Sequence, residues 1–160
     1  MRRPVIAGNW KMYKKREEAL ALVDVLKPLV TGAEAEVVVA PVFTVLTAVG
    51  GAVAGSNIRL SAQDCFWEEE GAFTGEISPG MLKDAGCSHV IIGHSERRQY
   101  FGETDKTVNR KIKAALRAGL TAIFCIGETL EERESDQMME VLKRQVAEGL
   151  AGVEDLSSVI

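Results

Sequence analysis

The chain has 160 residues, of which 46% are hydrophobic and 26% charged, and a formal net charge of −4. That balance predicts a single domain spanning residues 1–160 with a buried core, and it excludes a disordered chain. No apolar run reaches the roughly 18–20 residues of a membrane helix, the basic start "MRRPVIAGNWK" is too short in apolar residues for a signal peptide, and the acidic balance leaves no footprint for nucleic acid.

Five short apolar runs occur in chain order: "PVIAGNWK", "AEVVVAPV", "NIRLSAQD", "HVIIGHSE" and "LTAIFCIGE". Their ends at Asn9, Ala40, Gln63, His94 and Ile126 are spaced by roughly 23 to 32 residues, the length of a strand and a returning helix. Near-continuous apolar strands predict burial on both faces of a parallel sheet covered by helices. The intervening segments have helical periodicity. Ala19, Leu22, Val23, Leu26 and Val30 share a face, as do Val108, Ile112, Ala115 and Leu116, and then Met138, Leu142, Val146 and Leu150. Ser78 before Pro79 has the form of an N-cap and first helical position. The acidic, aromatic stretch "QDCFWEEEGAFTGEIS" is too long for a tight connection, which favours a working loop. The class is α/β.

In such folds the carboxyl ends of parallel strands build the site. The residues delivered there are Asn9 and Lys11, Gln63 and Asp64, His94 with Ser95 and Glu96, and Cys125 with Glu128. "SERRQYF" reads as a helix with Ser95 as its cap. A helix N-terminus disfavours the imidazolium, so His94 is expected to be neutral and able to donate to a substrate oxygen. A purely structural capping histidine fits its position equally well. Lys11 is either a solvated strand-end cation or, with Asn9 two residues before it, a group that neutralises an anion. Glu96 either orients a neighbour or takes a proton, and a first-turn glutamate that simply opposes the helix dipole fits equally well.

No metal site is expected, because the only other histidine, His89, stands five residues before His94 and on the opposite face of a strand. Cys65, Cys87 and Cys125 are odd in number and widely spaced, which fits free thiols in a cytoplasmic protein rather than disulfides or zinc. Cys125 has no nucleophile motif around it and reads as a small buried hydrophobe. Neither G-x-G-x-x-G nor G-x-x-x-x-G-K-[ST] is present, so no nucleotide cofactor is indicated.

"GNWKM" (8–12), "AQD" (62–64), "EEEGAFTGEISPGML" (68–82), "VIIGHSERR" (90–98) and "CIGETLEER" (125–133) resemble the triosephosphate isomerase family in its own motif order. The resemblance implies a (β/α)8 TIM barrel, with about the first five βα units lying in this chain. It implies an aldose–ketose isomerase of glycolysis and gluconeogenesis, with no cofactor, acting on a small phosphorylated triose. His94 then matches the electrophile that polarises the substrate carbonyl and Lys11 the substrate-binding cation. Asn9 matches the substrate-binding amide, Glu96 a supporting acid beside Asn9 and Lys11, and Ser95 the start of the short helix. This family is itself the standard instance of a neutral catalytic histidine held at a helix N-terminus, so its agreement with the reading of His94 is not independent.

The stretch 71–78 matches the loop that enters the partner subunit of a homodimer, with Phe73, Thr74 and Gly75 at the interface. "DLSSVI" reads as the opening of a sixth strand. No acid in residues 1–160 matches the family's proton-abstracting glutamate, which is expected beyond Ile160. These 160 residues alone are therefore expected to be inactive. The alternative reading is a catalytically incomplete half-barrel that acts by self-association or by binding sugar phosphates.

Overall fold

A computed structural model describes residues 3–160. Five parallel strands, β1 (Val5–Asn9), β2 (Glu36–Ala40), β3 (Ile58–Ala62), β4 (His89–Ile92) and β5 (Thr121–Phe124), pair in sequence order. Between and after them run α1 (Arg16–Leu29), α2 (Leu46–Val53), α3 (Pro79–Asp84), α4 (Ser95–Phe101), α5 (Asp105–Arg117), α6 (Leu130–Glu134) and α7 (Met138–Gly149). The result is a curled half-barrel of the TIM-barrel type. Each strand pairs only with its sequence neighbours because a strand–helix–strand unit returns the chain beside the strand it left.

The core lies between the sheet and its helices, where Val23, Val49, Leu82, Ile92, Val108 and Ile112 are buried. Strands β2 to β4 are buried almost throughout, as the apolar runs predict. β1 departs from that expectation: Ile6 is 64% exposed, because β2 covers only one of its edges. At the opposite edge "DLSSVI" does open a sixth strand. Val159 bridges Ala122 in parallel, and the Phe124 N–H donates to Ile160 O at 2.8 Å.

Helix faces follow the periodicity in α1 and α5 and deviate in α7. Ala19 and Val23 are buried, as are Val108, Ile112 and Ala115. In α7 the buried positions are Val141, Gln145 and Gly149, while Val146 is 40% exposed. Gly149 explains the rotation: a Cβ there would stand 2.5 Å from the Phe124 ring. The glycine lets α7 settle directly on β5. Ser78 caps α3 with Pro79 in the first position, its side chain accepting from Met81 N–H, which is the expected arrangement.

His89 begins β4 at the amino-terminal end of the sheet and is only 3% exposed. Ser88 Oγ lies 2.8 Å from its Nδ1, and Glu36 Oε1 3.8 Å from its Nε2. Arg59 approaches the same Glu36 carboxylate at 3.6 Å. Burial pushes the His89 pKa below its ordinary 6.5, with Glu36 opposing and Arg59 assisting. An imidazole whose folded pKa is depressed binds its proton more readily in the unfolded chain. Its contribution to stability is whole above pH 6.5 and is lost as the pH falls through the folded value. His89→Gln is therefore expected to remove part of the acid slope below pH 6.5, up to the roughly 1.4 kcal/mol per pH unit of one proton. Parallel urea denaturation series for the two proteins check this, and coincident slopes would refute it.

Candidate active site

The first strand ends by presenting two polar side chains through a distorted backbone. Lys11 has φ 52°, a left-handed conformation that costs a residue with a Cβ about 1–2 kcal/mol. Three contacts hold it there. The Lys11 N–H donates to Asn9 Oδ1 at 2.9 Å, closing a local turn. Gln63 Nε2, arriving after β3, donates to Lys11 O at 2.9 Å and to Ala40 O at 2.8 Å, tying the ends of three strands together. Lys11 Nζ pairs with Glu96 Oε1 at 2.8 Å. That hydrogen bond raises the Lys11 pKa and lowers that of Glu96. With Oδ1 engaged on the backbone, the Asn9 amide keeps its NH2 to donate elsewhere.

β4 delivers His94 over Gly93, whose φ is 76°. A Cβ on Gly93 would lie 3.1 Å from Cys125 O and 3.2 Å from Val108 Cγ2, so the approach of β5 as well as the backbone conformation requires glycine. His94 itself caps α4, correcting the assignment of that role to Ser95, which is the first helical residue. Nδ1 of His94 accepts from Glu96 N–H at 3.3 Å. Glu96 Oε2 is 3.5 Å from the same nitrogen, but the backbone donor is fixed in place and needs a lone pair facing it. In its neutral form the ring therefore carries its hydrogen on Nε2, where it can donate to a carbonyl oxygen.

Behind the histidine lies a buried ion network that the sequence reading did not assemble. Lys111 of α5 donates to Asp64 Oδ1 at 2.7 Å and to Glu103. Arg97 Nε adds ion pairs to Asp64 at 2.8 Å and to Glu103 at 3.5 Å. Glu103 Oε2 accepts the Gly93 N–H at 3.1 Å, and Arg98 Nε donates to Gly93 O at 2.9 Å. Both sides of the glycine that presents His94 are thus held by charged side chains. The available signal was Lys111, a cation sitting within the apolar stripe Val108, Ile112, Ala115. Glu103 follows a helix-ending glycine and gave none.

Asn9, Lys11, Gln63, Asp64, His94 and Glu96 line one open cavity of about 670 Å³. Ser95 and Glu128 line a neighbouring cavity instead, and Cys125 lines neither. Burial pushes the Cys125 thiol pKa upward, which favours the hydrophobe reading over a nucleophile. Phe73, Thr74 and Gly75 lie on the wholly exposed stretch 68–76, away from the cavity of their own chain. Among the described residues no group of three or more His, Cys, Asp or Glu side chains is placed to hold a metal ion. None of the described helices is long and apolar enough to cross a membrane. Chemically, the cavity offers an imidazole N–H donor, an ammonium and an amide around one point, a set suited to a carbonyl that gains negative charge.

The sequence profile described as triosephosphate isomerase matches residues 4–160. A protein named triosephosphate isomerase from Geobacter metallireducens is 69% identical over 100% of this chain and 65% of its own length. One of the same name from Pelobacter propionicus is 66% identical over 95% of this chain and 61% of its own length. The crystal structure of triosephosphate isomerase from Bartonella henselae superposes with a TM-score of 0.94 at 42% identity, covering 99% of this chain and 66% of that one. The chain spans just under two thirds of the length of the Geobacter relative. With the half-barrel and the His94–Lys11–Asn9 cavity in place, these similarities establish that the chain belongs to the triosephosphate isomerase family.

Proposed function

We propose that this chain supplies the amino-terminal five βα units of an enzyme that interconverts dihydroxyacetone phosphate and D-glyceraldehyde 3-phosphate in the cytoplasm. The observation that carries the reading is the pairing of a tautomer-fixed His94 with Lys11 and Asn9 in one cavity. In this reading His94 Nε2–H donates to the substrate carbonyl oxygen and then to the enediolate oxygen. Lys11 stabilises the charge gathering on the enediolate and on the phosphate end, and Asn9 donates its amide to the substrate. Glu96 holds the ammonium, and Ser95 starts the helix whose N–H of Glu96 sets the imidazole. The carbon-bound proton is taken by a base outside residues 1–160. Two copies associate through Phe73, Thr74 and Gly75.

The test is a coupled assay on the full-length protein, with the substrate's carbon-bound hydrogen followed by exchange in deuterated water. Turnover with exchange supports the reading, whereas sugar-phosphate binding with neither replaces it with a binding function. Enzymatic turnover by a polypeptide whose mass ends at Ile160 would show that the base has been misplaced.

Gln63 provides a second test. Gln63→Leu keeps the shape but removes both donors to Lys11 O and Ala40 O. Losing those hydrogen bonds is expected to cost about 1–3 kcal/mol of stability. Displacing Lys11 is expected to lower kcat/KM by up to about 10²-fold. An unchanged kcat/KM would mean that the Lys11 backbone holds its conformation without Gln63.

A further inference from the structure

The projecting loop and the rim of the cavity have opposite charge. Residues 68–76 are exposed throughout and include Glu68, Glu69, Glu70 and Glu76, with no lysine or arginine among them. The loop is preorganised. Phe66 stacks on Trp67 at 4.1 Å and on Phe73 at 4.7 Å between ring centroids, and the Phe66 N–H donates to Ile77 O at 2.9 Å. Such a protrusion loses little entropy when it docks. The segment after β1 reads "KMYKKR", and its residues 11–16 are all exposed. Lys11 is committed to Glu96. The Lys14, Lys15 and Arg16 cations take part in no ion pair among the described residues, and neither do Glu68 and Glu70. Between these lysines and α4 the surface is apolar, with Met12 91%, Tyr13 71% and Phe101 67% exposed around the cavity.

We infer that two copies of this chain are steered together by charge, the acidic loop of one facing the basic segment Lys14–Arg16 of the other. The inference rests on the homodimer of the proposed function and adds its electrostatic mechanism. Twofold symmetry makes the contact occur twice, so each unpaired cluster meets its complement. Phe73 supplies the apolar anchor on the loop, and Glu68 and Glu70 lie on its rim. Rim charges of this kind act chiefly on the association rate and on its dependence on salt.

Reassociation of the diluted full-length protein is to be followed by stopped-flow light scattering from about 20 mM to about 500 mM NaCl, over which the Debye length contracts several-fold. The association rate is expected to fall by at least about 10-fold. Lys14→Glu with Lys15→Glu should slow association at low salt, as should Glu68→Lys with Glu70→Lys, and mixing the two variants should restore the rate. A dimer whose association is indifferent to salt and to these exchanges overturns the steering while leaving the dimer in place. A monomer at every salt concentration overturns the dimer itself.

Discussion

Replacing His94 by glutamine in the full-length protein is expected to lower kcat for triose-phosphate isomerisation by about 10²–10³-fold, with a much smaller change in KM. The asymmetry follows from where the hydrogen bond gains strength. The substrate carbonyl carries a partial charge, the enediolate oxygen nearly a full one, and a donor preplaced beside it stabilises the second far more than the first. Glutamine can still donate a hydrogen bond, but its amide does not share the contact with Glu96 N–H that fixes the imidazole through Nδ1. Steady-state kinetics in both directions give the measurement. A raised KM with kcat unchanged would assign His94 to uniform binding and contradict the role proposed for it.

How much of this was legible beforehand depends on the kind of interaction. The strands and the α1 and α5 faces follow from apolar spacing, because burial of a stripe is a property of the segment alone. Asn9, Lys11 and His94 were found because the end of a parallel strand is a position that topology can name. The face of α7 was misread because it is set by Gly149 against the Phe124 ring, a contact between distant segments. The buried Gln145 was missed for a similar reason. Its carboxamide accepts from Gly127 N–H at 2.8 Å and donates to Gly127 O at 2.9 Å, so it serves the loop after β5 and not the helix that carries it. Ser95 looked like the cap of α4 because serine is favoured there, yet the imidazole of His94 accepts that N–H bond instead. For Gly149 and Gln145 a partner distant in sequence overruled a sound local preference, whereas at α4 the residue just before Ser95 took the capping role.

The buried network behind His94 gives the largest stability effect expected from a single substitution. Lys111→Met replaces a 4% exposed ammonium by an apolar side chain of similar length and leaves Asp64 and Glu103 with Arg97 as their remaining cation. Two carboxylates closely sharing one buried cation have lost their main compensation, so the expected cost is about 3–5 kcal/mol. Burial already pushes the Asp64 pKa up, with Lys111 and Arg97 opposing it, and removing Lys111 raises it further. The sign of the pH dependence follows. A carboxyl whose folded pKa lies above its unfolded value penalises the folded state once the unfolded chain can ionise, so the loss is greatest near neutral pH and shrinks as the pH falls toward 4. Adding Asp64→Asn and Glu103→Gln to Lys111→Met should recover part of the stability, since neutral amides tolerate burial where orphaned charges do not. Denaturant titrations at pH 7 and near pH 4.5 separate this account from a packing defect, which would cost the same at both. Because Glu103 also accepts the Gly93 N–H, the single variant should lower kcat in whatever fraction remains folded, linking the ion network to the placement of the imidazole.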